Sequence, residues 1–120
     1  MQSLEWLDDV REVLAGETWT PTPLLPAVTT GERLGMDLWL KRDDCTPIGS
    51  FKLRGGLVSM ATLGGGLPKQ GVYVASAGNY GIALAMAGKR LGVAVTVVVP
   101  RGATPAKLDR IRQLGAKVVV

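Results

Sequence analysis

The chain has 120 residues, 47% apolar and 20% charged, with 14 basic against 10 acidic side chains and a net charge of +4. That composition is globular rather than disordered, and no apolar run approaches the roughly 18–20 residues of a membrane span. Histidine is absent and Cys45 is the single cysteine, which excludes Ser-His-Asp and Cys-His nucleophile systems, an internal disulfide and the usual zinc sites.

In chain order, Leu4, Leu7, Val10 and Leu14 recur at helical spacing, and Gly16 follows as a stop. This acidic N-terminus lacks the basic-then-apolar layout of a signal peptide, so a cytoplasmic location is expected. Pro21-Thr22-Pro23 is extended, because prolines remove donors and restrict their predecessors. Residues 37–42 read as a strand, and residues 52–63 as a helix that stops at Gly64-Gly65-Gly66. A short strand covers 72–75, and a helix covers 79–91, closed by Gly92. The β-branched run Val93–Val99 has the pattern of a strand buried on both faces. Pro105 opens a last helix with Leu108, Ile111 and Leu114 on one stripe, and Gly115 ends it before a strand from Lys117 to Val120.

Alternating strands and helices predict an α/β fold, a parallel sheet with helices on both faces. The chain stops inside the apolar strand Val118-Val119-Val120. An exposed strand of that kind invites pairing, so a piece of a longer protein is expected, against a short terminal edge strand as the alternative. Basic residues are densest from Arg101 to Lys117, with no aromatics interleaved. That is a solvated helix face, and neither a nucleic-acid nor a membrane partner is expected.

Two places could carry chemistry. Lys52 follows a strand and a turn containing Pro47 and Gly49, at the start of a helix. The positive end of a helix disfavours an ammonium group. A lysine that must be neutral to attack a carbonyl gains from that setting, and Phe51 with the apolar helix would add desolvation. This suits a Schiff-base lysine; a solvated surface lysine is the plain alternative. The second place is Ala75-Ser76-Ala77-Gly78-Asn79-Tyr80, where a strand gives way to a helix through small residues. Exposed N–H groups at such a turn bind carboxylate or phosphate. Alternatively, Ser76 or Asn79 merely caps the helix. Gly64-Gly65-Gly66 follows a helix and is read as its stop, not as a phosphate cradle. Cys45 is read as a small turn residue, since nothing nearby supplies a base.

Taken together, Ile48-Gly49-Ser50-Phe51-Lys52-Leu53-Arg54-Gly55 and Ser76-Ala77-Gly78-Asn79-Tyr80-Gly81 resemble the two motifs of fold-type II enzymes that use pyridoxal 5′-phosphate. The tryptophan synthase β-like family is meant, and within it most nearly the threonine/serine dehydratases. Thr22-Pro23-Leu24, Leu40-Lys41-Arg42-Asp43-Asp44 and the Pro105–Gly115 helix support the resemblance.

The resemblance implies that Lys52 holds the cofactor as a Schiff base and later removes the substrate α-proton. Phe51 would pack near the cofactor ring, and Asn79 would bond the ring 3′-oxygen. Ser76, Ala77, Gly78, Asn79 and Tyr80 would take the substrate carboxylate, and no metal is implied. The implied reaction is dehydration and deamination of threonine or serine to a 2-oxo acid and ammonia. Ala77 stands where racemases of the family often carry a second serine, which favours elimination. Tyr80 replaces a histidine common in dehydratases, and Gly81-Ile82 is similar to β-replacement enzymes that make cysteine, so that activity is the alternative.

By the resemblance, residues 1–74 begin a large cofactor domain and residues 75–120 begin a small mobile α/β domain, in a protein that forms homodimers. The family's phosphate-binding loop and pyridine-nitrogen partner lie further downstream than these 120 residues reach. A non-catalytic chain, completed by a partner or not at all, is the alternative from another class.

Overall fold

A computed structural model describes residues 5–63, 66 and 69–120. Leu4 and Gly64-Gly65, both used in the sequence reading, lie outside the described residues. The order is α1 (Glu5–Ala15), β1 (Leu24–Pro26), α2 (Val28–Leu34), β2 (Trp39–Lys41), a 3-10 turn (Asp43–Cys45), α3 (Lys52–Ala61), β3 (Val72–Ala75), α4 (Asn79–Leu91), β4 (Val95–Val98), α5 (Pro105–Gln113) and β5 (Lys117–Val119).

Strands β3, β4 and β5 form a parallel sheet in that order, with Val74 opposite Val97 and Val97 opposite Val118. Helices α4 and α5 cross over between successive strands, as parallel pairing requires. Val95, Val97 and Val99 share one buried cluster with Ile82, Leu84, Ile111 and Leu114, so both helices lie on the same face. Gly88 lets α4 sit down on that face, since a Cβ there would lie 2.4 Å from a Val95 methyl. Gly92 ends α4 in the left-handed region, at φ 69°, a conformation that glycine adopts without strain.

The sequence reading differs from the structure in three places. The strand expected at 37–42 is shorter and stands outside the parallel sheet. It pairs antiparallel with β1, Leu25 opposite Leu40, as a separate two-stranded sheet. Both strands are exposed along their length, so neither has the buried faces of a parallel strand. Helix α2 between them was not anticipated. It holds Gly31 because a Cβ there would come within 2.6 Å of the Met36 carbonyl oxygen.

The third difference is β4, which alternates instead of burying both faces: Val95 and Val97 are buried and Val98 is exposed. Among the described residues the sheet is covered on one face. The other face presents Tyr73, Ala75, Val98 and Val119.

Candidate active site

Lys52 is the first residue of α3. The turn that delivers it is closed by side chains rather than by a conventional cap. Thr46, buried, donates its hydroxyl to the Ser50 carbonyl at 2.9 Å, and the same oxygen accepts the Ser50 N–H at 2.9 Å. Gly49 completes the bend at φ 66°. The Ser50 hydroxyl then accepts the Lys52 N–H at 3.3 Å, satisfying one of the free donors at the helix start.

The Lys52 ammonium lies 4.6 Å from the centre of the Phe51 ring. The expected desolvation is not found here. Phe51 is 60% exposed, and Lys52 is exposed too.

The second turn is built by Ser76. Its hydroxyl oxygen accepts the Gly78 N–H at 3.3 Å and the Gly81 N–H at 3.1 Å. Part of the capping alternative is therefore realised, but by a residue two positions ahead of the cap position, Gly78, which makes no side-chain cap bond. The N–H groups of Ala77, Asn79 and Tyr80 have no partner among the described residues. Three such donors at one helix start, in the positive field of its dipole, make an anion cradle. Ser76, Ala77 and Gly78 are half-buried; Asn79 and Tyr80 are exposed.

The two turns are joined through the packing of α3 on α4. A Cβ at Gly56 would come within 3.2 Å of the Ala83 backbone, so the helices touch there. Leu53 and Leu57 share a cavity of about 50 Å³ with Met86 and Arg90. Met60 and Leu63 share an open groove of about 360 Å³ with Tyr73, Tyr80 and Leu84, so the pair runs antiparallel. Neither Lys52 nor Phe51 lines that groove with Tyr80.

The contact lies four residues beyond each helix start. A rise of 1.5 Å per residue and axes about 8–10 Å apart put the two starts about 14–16 Å from each other. A lysine side chain and an aromatic cofactor ring can bridge such a gap. A primary amine for an aldehyde, an amide for a ring oxygen and a cradle for a carboxylate are all present. The donor set therefore fits the aldehyde end of pyridoxal 5′-phosphate.

Sequence reasoning gave no role to Arg54, two residues beyond Lys52. Its guanidinium donates to Asp43 Oδ1 at 2.9 Å, to Asp43 Oδ2 at 3.3 Å and to the Thr22 hydroxyl at 2.8 Å. It also lies 5.1 Å from the centre of the Trp19 ring. The Thr22 hydroxyl in turn donates to Asp43, and the Lys41 ammonium donates to the Thr22 carbonyl. The Arg54 bond holds the Asp43 carboxyl below the usual carboxylate range, with Thr22 adding to the effect. The signal was in view, since Thr22, Asp43 and Arg54 all fall inside the matching segments. Nothing in one dimension shows that they meet.

Residues 16–120 match the family described as pyridoxal-phosphate dependent enzyme. The chain is 36% identical over 116 residues to threonine dehydratase 1 biosynthetic, chloroplastic, of Solanum lycopersicum, covering 97% of this chain and 19% of that protein. The solved structure of the processed form of threonine deaminase isoform 2 from Solanum lycopersicum matches with a TM-score of 0.78 at 33% identity, over 100% of this chain and 34% of that one. Maize serine racemase matches with a TM-score of 0.78 at 28% identity, over 93% of this chain and 35% of that one. The chain spans about a fifth of the length of the curated relatives it matches.

Proposed function

Because the chain belongs to the pyridoxal-phosphate dependent enzyme family, we propose that the protein carrying it is an ammonia-lyase. It converts threonine or serine to a 2-oxo acid and ammonia. The observation that carries this reading is the pair of helix starts, an amine at one and three N–H groups without a partner among the described residues at the other, on two helices that pack directly.

Lys52 Nζ would hold the cofactor at its aldehyde end, and the Asn79 amide would hold its ring oxygen. When bound, pyridoxal 5′-phosphate supplies an electron sink for negative charge at the substrate α-carbon. The N–H groups of Ala77, Asn79 and Tyr80 fix the substrate carboxylate. Lys52 Nζ would take the α-proton, as a positioned general base. The β-hydroxyl would leave as water with the proton that Lys52 took, and uptake of one water by the resulting enamine would release the 2-oxo acid and ammonia. Ala77 offers no second base at this turn, which supports elimination over racemisation. Phe51 would pack beside the cofactor ring.

The division expected between residues 74 and 75 is moved here to the start of β3, so that this strand goes with the sheet it pairs in. The N-terminal unit then holds the lysine, and the sheet unit holds the carboxylate cradle. Assembly as a homodimer is part of the same proposal, on the family resemblance.

The test uses the full-length protein carrying this sequence, supplied with pyridoxal 5′-phosphate and assayed for 2-oxo acid from threonine and from serine. Turnover that disappears in Lys52→Ala is expected. Cysteine formation from an activated serine and sulfide, without 2-oxo acid, would favour the β-replacement alternative. Turnover that survives Lys52→Ala would overturn the reading.

A further inference from the structure

We propose that Arg54, held by Asp43 and Thr22, is the positioning residue that sets the orientation of Lys52. The inference rests on the reading that Lys52 holds the cofactor. At 100° per residue, positions two apart on a helix point about 200° apart, to opposite sides. Lys52 accordingly stands exposed, while Arg54 turns back toward the partly buried Asp43 and the buried Thr22.

The buried stripe of Leu53, Gly56, Leu57 and Met60 sets which face of this helix meets α4, but it does not hold the first turn in place. Leu53, Leu57 and Met60 pack on α4, and apolar contacts are non-directional. A forked guanidinium against a carboxylate is directional, because two parallel N–H bonds define a plane as well as a distance. Four separate segments converge on it: the Trp19 loop, the extended Thr22, the end of β2 through Lys41, and the turn at Asp43. The hub thus ties the first turn of α3 to the rest of the N-terminal unit from behind. It leaves the space around the Lys52 amine clear.

Lysine at position 54 would keep the charge and the stem but lose the fork. The full-length protein with bound pyridoxal 5′-phosphate is reduced with borohydride, and peptide mass mapping follows the label at Lys52. Melting temperature and turnover are measured in parallel. In Arg54→Lys, and in the near-isosteric Asp43→Asn, labelling and kcat are expected to fall on the order of ten- to a hundredfold, the effect of misplacing a reacting group by about an ångström. Leu57→Val loosens the same helix from its apolar side. It should lower the melting temperature while labelling stays at the parental rate.

Parental labelling of Lys52 in both Arg54→Lys and Asp43→Asn would overturn the inference alone. So would labelling that simply tracks melting temperature across all three variants. A parent protein that takes no label at Lys52 would overturn the proposed function and this inference with it.

Discussion

The two halves of the chain are held together by different physics. From Val72 onward, eleven apolar side chains from Ile82 to Ala116 are buried, and no polar one is, among the described residues. Before that point the buried apolar residues are Leu53, Leu57 and Met60, all on α3. The buried polar residues Thr22, Thr46 and Ser50 all fall in this first half, and each bonds within the segments that lead to Lys52. Apolar packing tolerates small shifts of position; hydrogen bonds do not. The half that presents the amine is the half built from directional contacts.

The largest effect is expected in the second half. Ile111 is fully buried, and Ile111→Ala should destabilise the full-length protein by about 2–5 kcal/mol in denaturant unfolding, through lost transfer energy and a residual cavity. Ile111→Val keeps most of the volume and should cost about 0.5–1.5 kcal/mol.

Shape is not what matters at Thr46. Thr46→Val preserves volume but strands the Ser50 N–H and carbonyl, at about 1–3 kcal/mol. Thr46→Ser should recover most of that loss. If Thr46→Ser were as damaging as Thr46→Val, the contrast between the halves would fail at its simplest point.

The same contrast explains how much could be read without coordinates. Helix α4 runs from Asn79 to Leu91, as expected, because a small-residue turn starts it and Gly92 stops it, both local signals. Strand β3 and helix α5 were equally readable, the latter from Pro105 at its start. The pairing of β1 with β2 was not. Three-residue exposed strands carry no apolar alternation, and their partnership is set by a contact across the intervening α2. The two helix starts of the candidate site were found because each is a contiguous motif. Arg54 and its partners were missed as a unit because the bonds span 11 residues to Asp43 and 32 to Thr22. The lack of apolar cover over Phe51 among the described residues was also hidden, since a side chain's burial depends on what packs there, not on its hydropathy.

A smaller effect, and a pH-dependent one, is expected at Asp43. Its folded-state pKa lies below the ordinary value because Arg54 and Thr22 hydrogen-bond the carboxylate. Such a group contributes stability in full above its unfolded pKa of about 3.9. The contribution is lost as pH falls through the lower folded value. Asp43→Asn should therefore melt below the parent at neutral pH, by on the order of 1 kcal/mol. The gap should close in acid, where the parent's carboxyl is protonated as well. Melts across that range give the answer, and a gap that stays constant with pH would mean that the charge of Asp43 is not what Arg54 holds.

The smallest effect belongs to a charge pair of the second half. Asp109 and Arg112 sit one turn apart on α5, 3.0 Å from atom to atom, with side chains 62% and 53% exposed. The acid precedes the base, the order that the helix dipole favours. Water screens both groups, and ordering two long side chains offsets most of the attraction. Asp109→Ala should thus change stability by no more than about 0.5 kcal/mol, and the difference should vanish in about 1 M salt. Arg54 and Asp43 meet at a similar 2.9 Å, but with side chains only 26% and 20% exposed. Two ion pairs of nearly equal length thus differ in whether water can replace the partner. If Asp109→Ala proved as damaging at neutral pH as Asp43→Asn, separation alone would govern both pairs, and the distinction between a packed half and a hydrogen-bonded half would lose its physical basis.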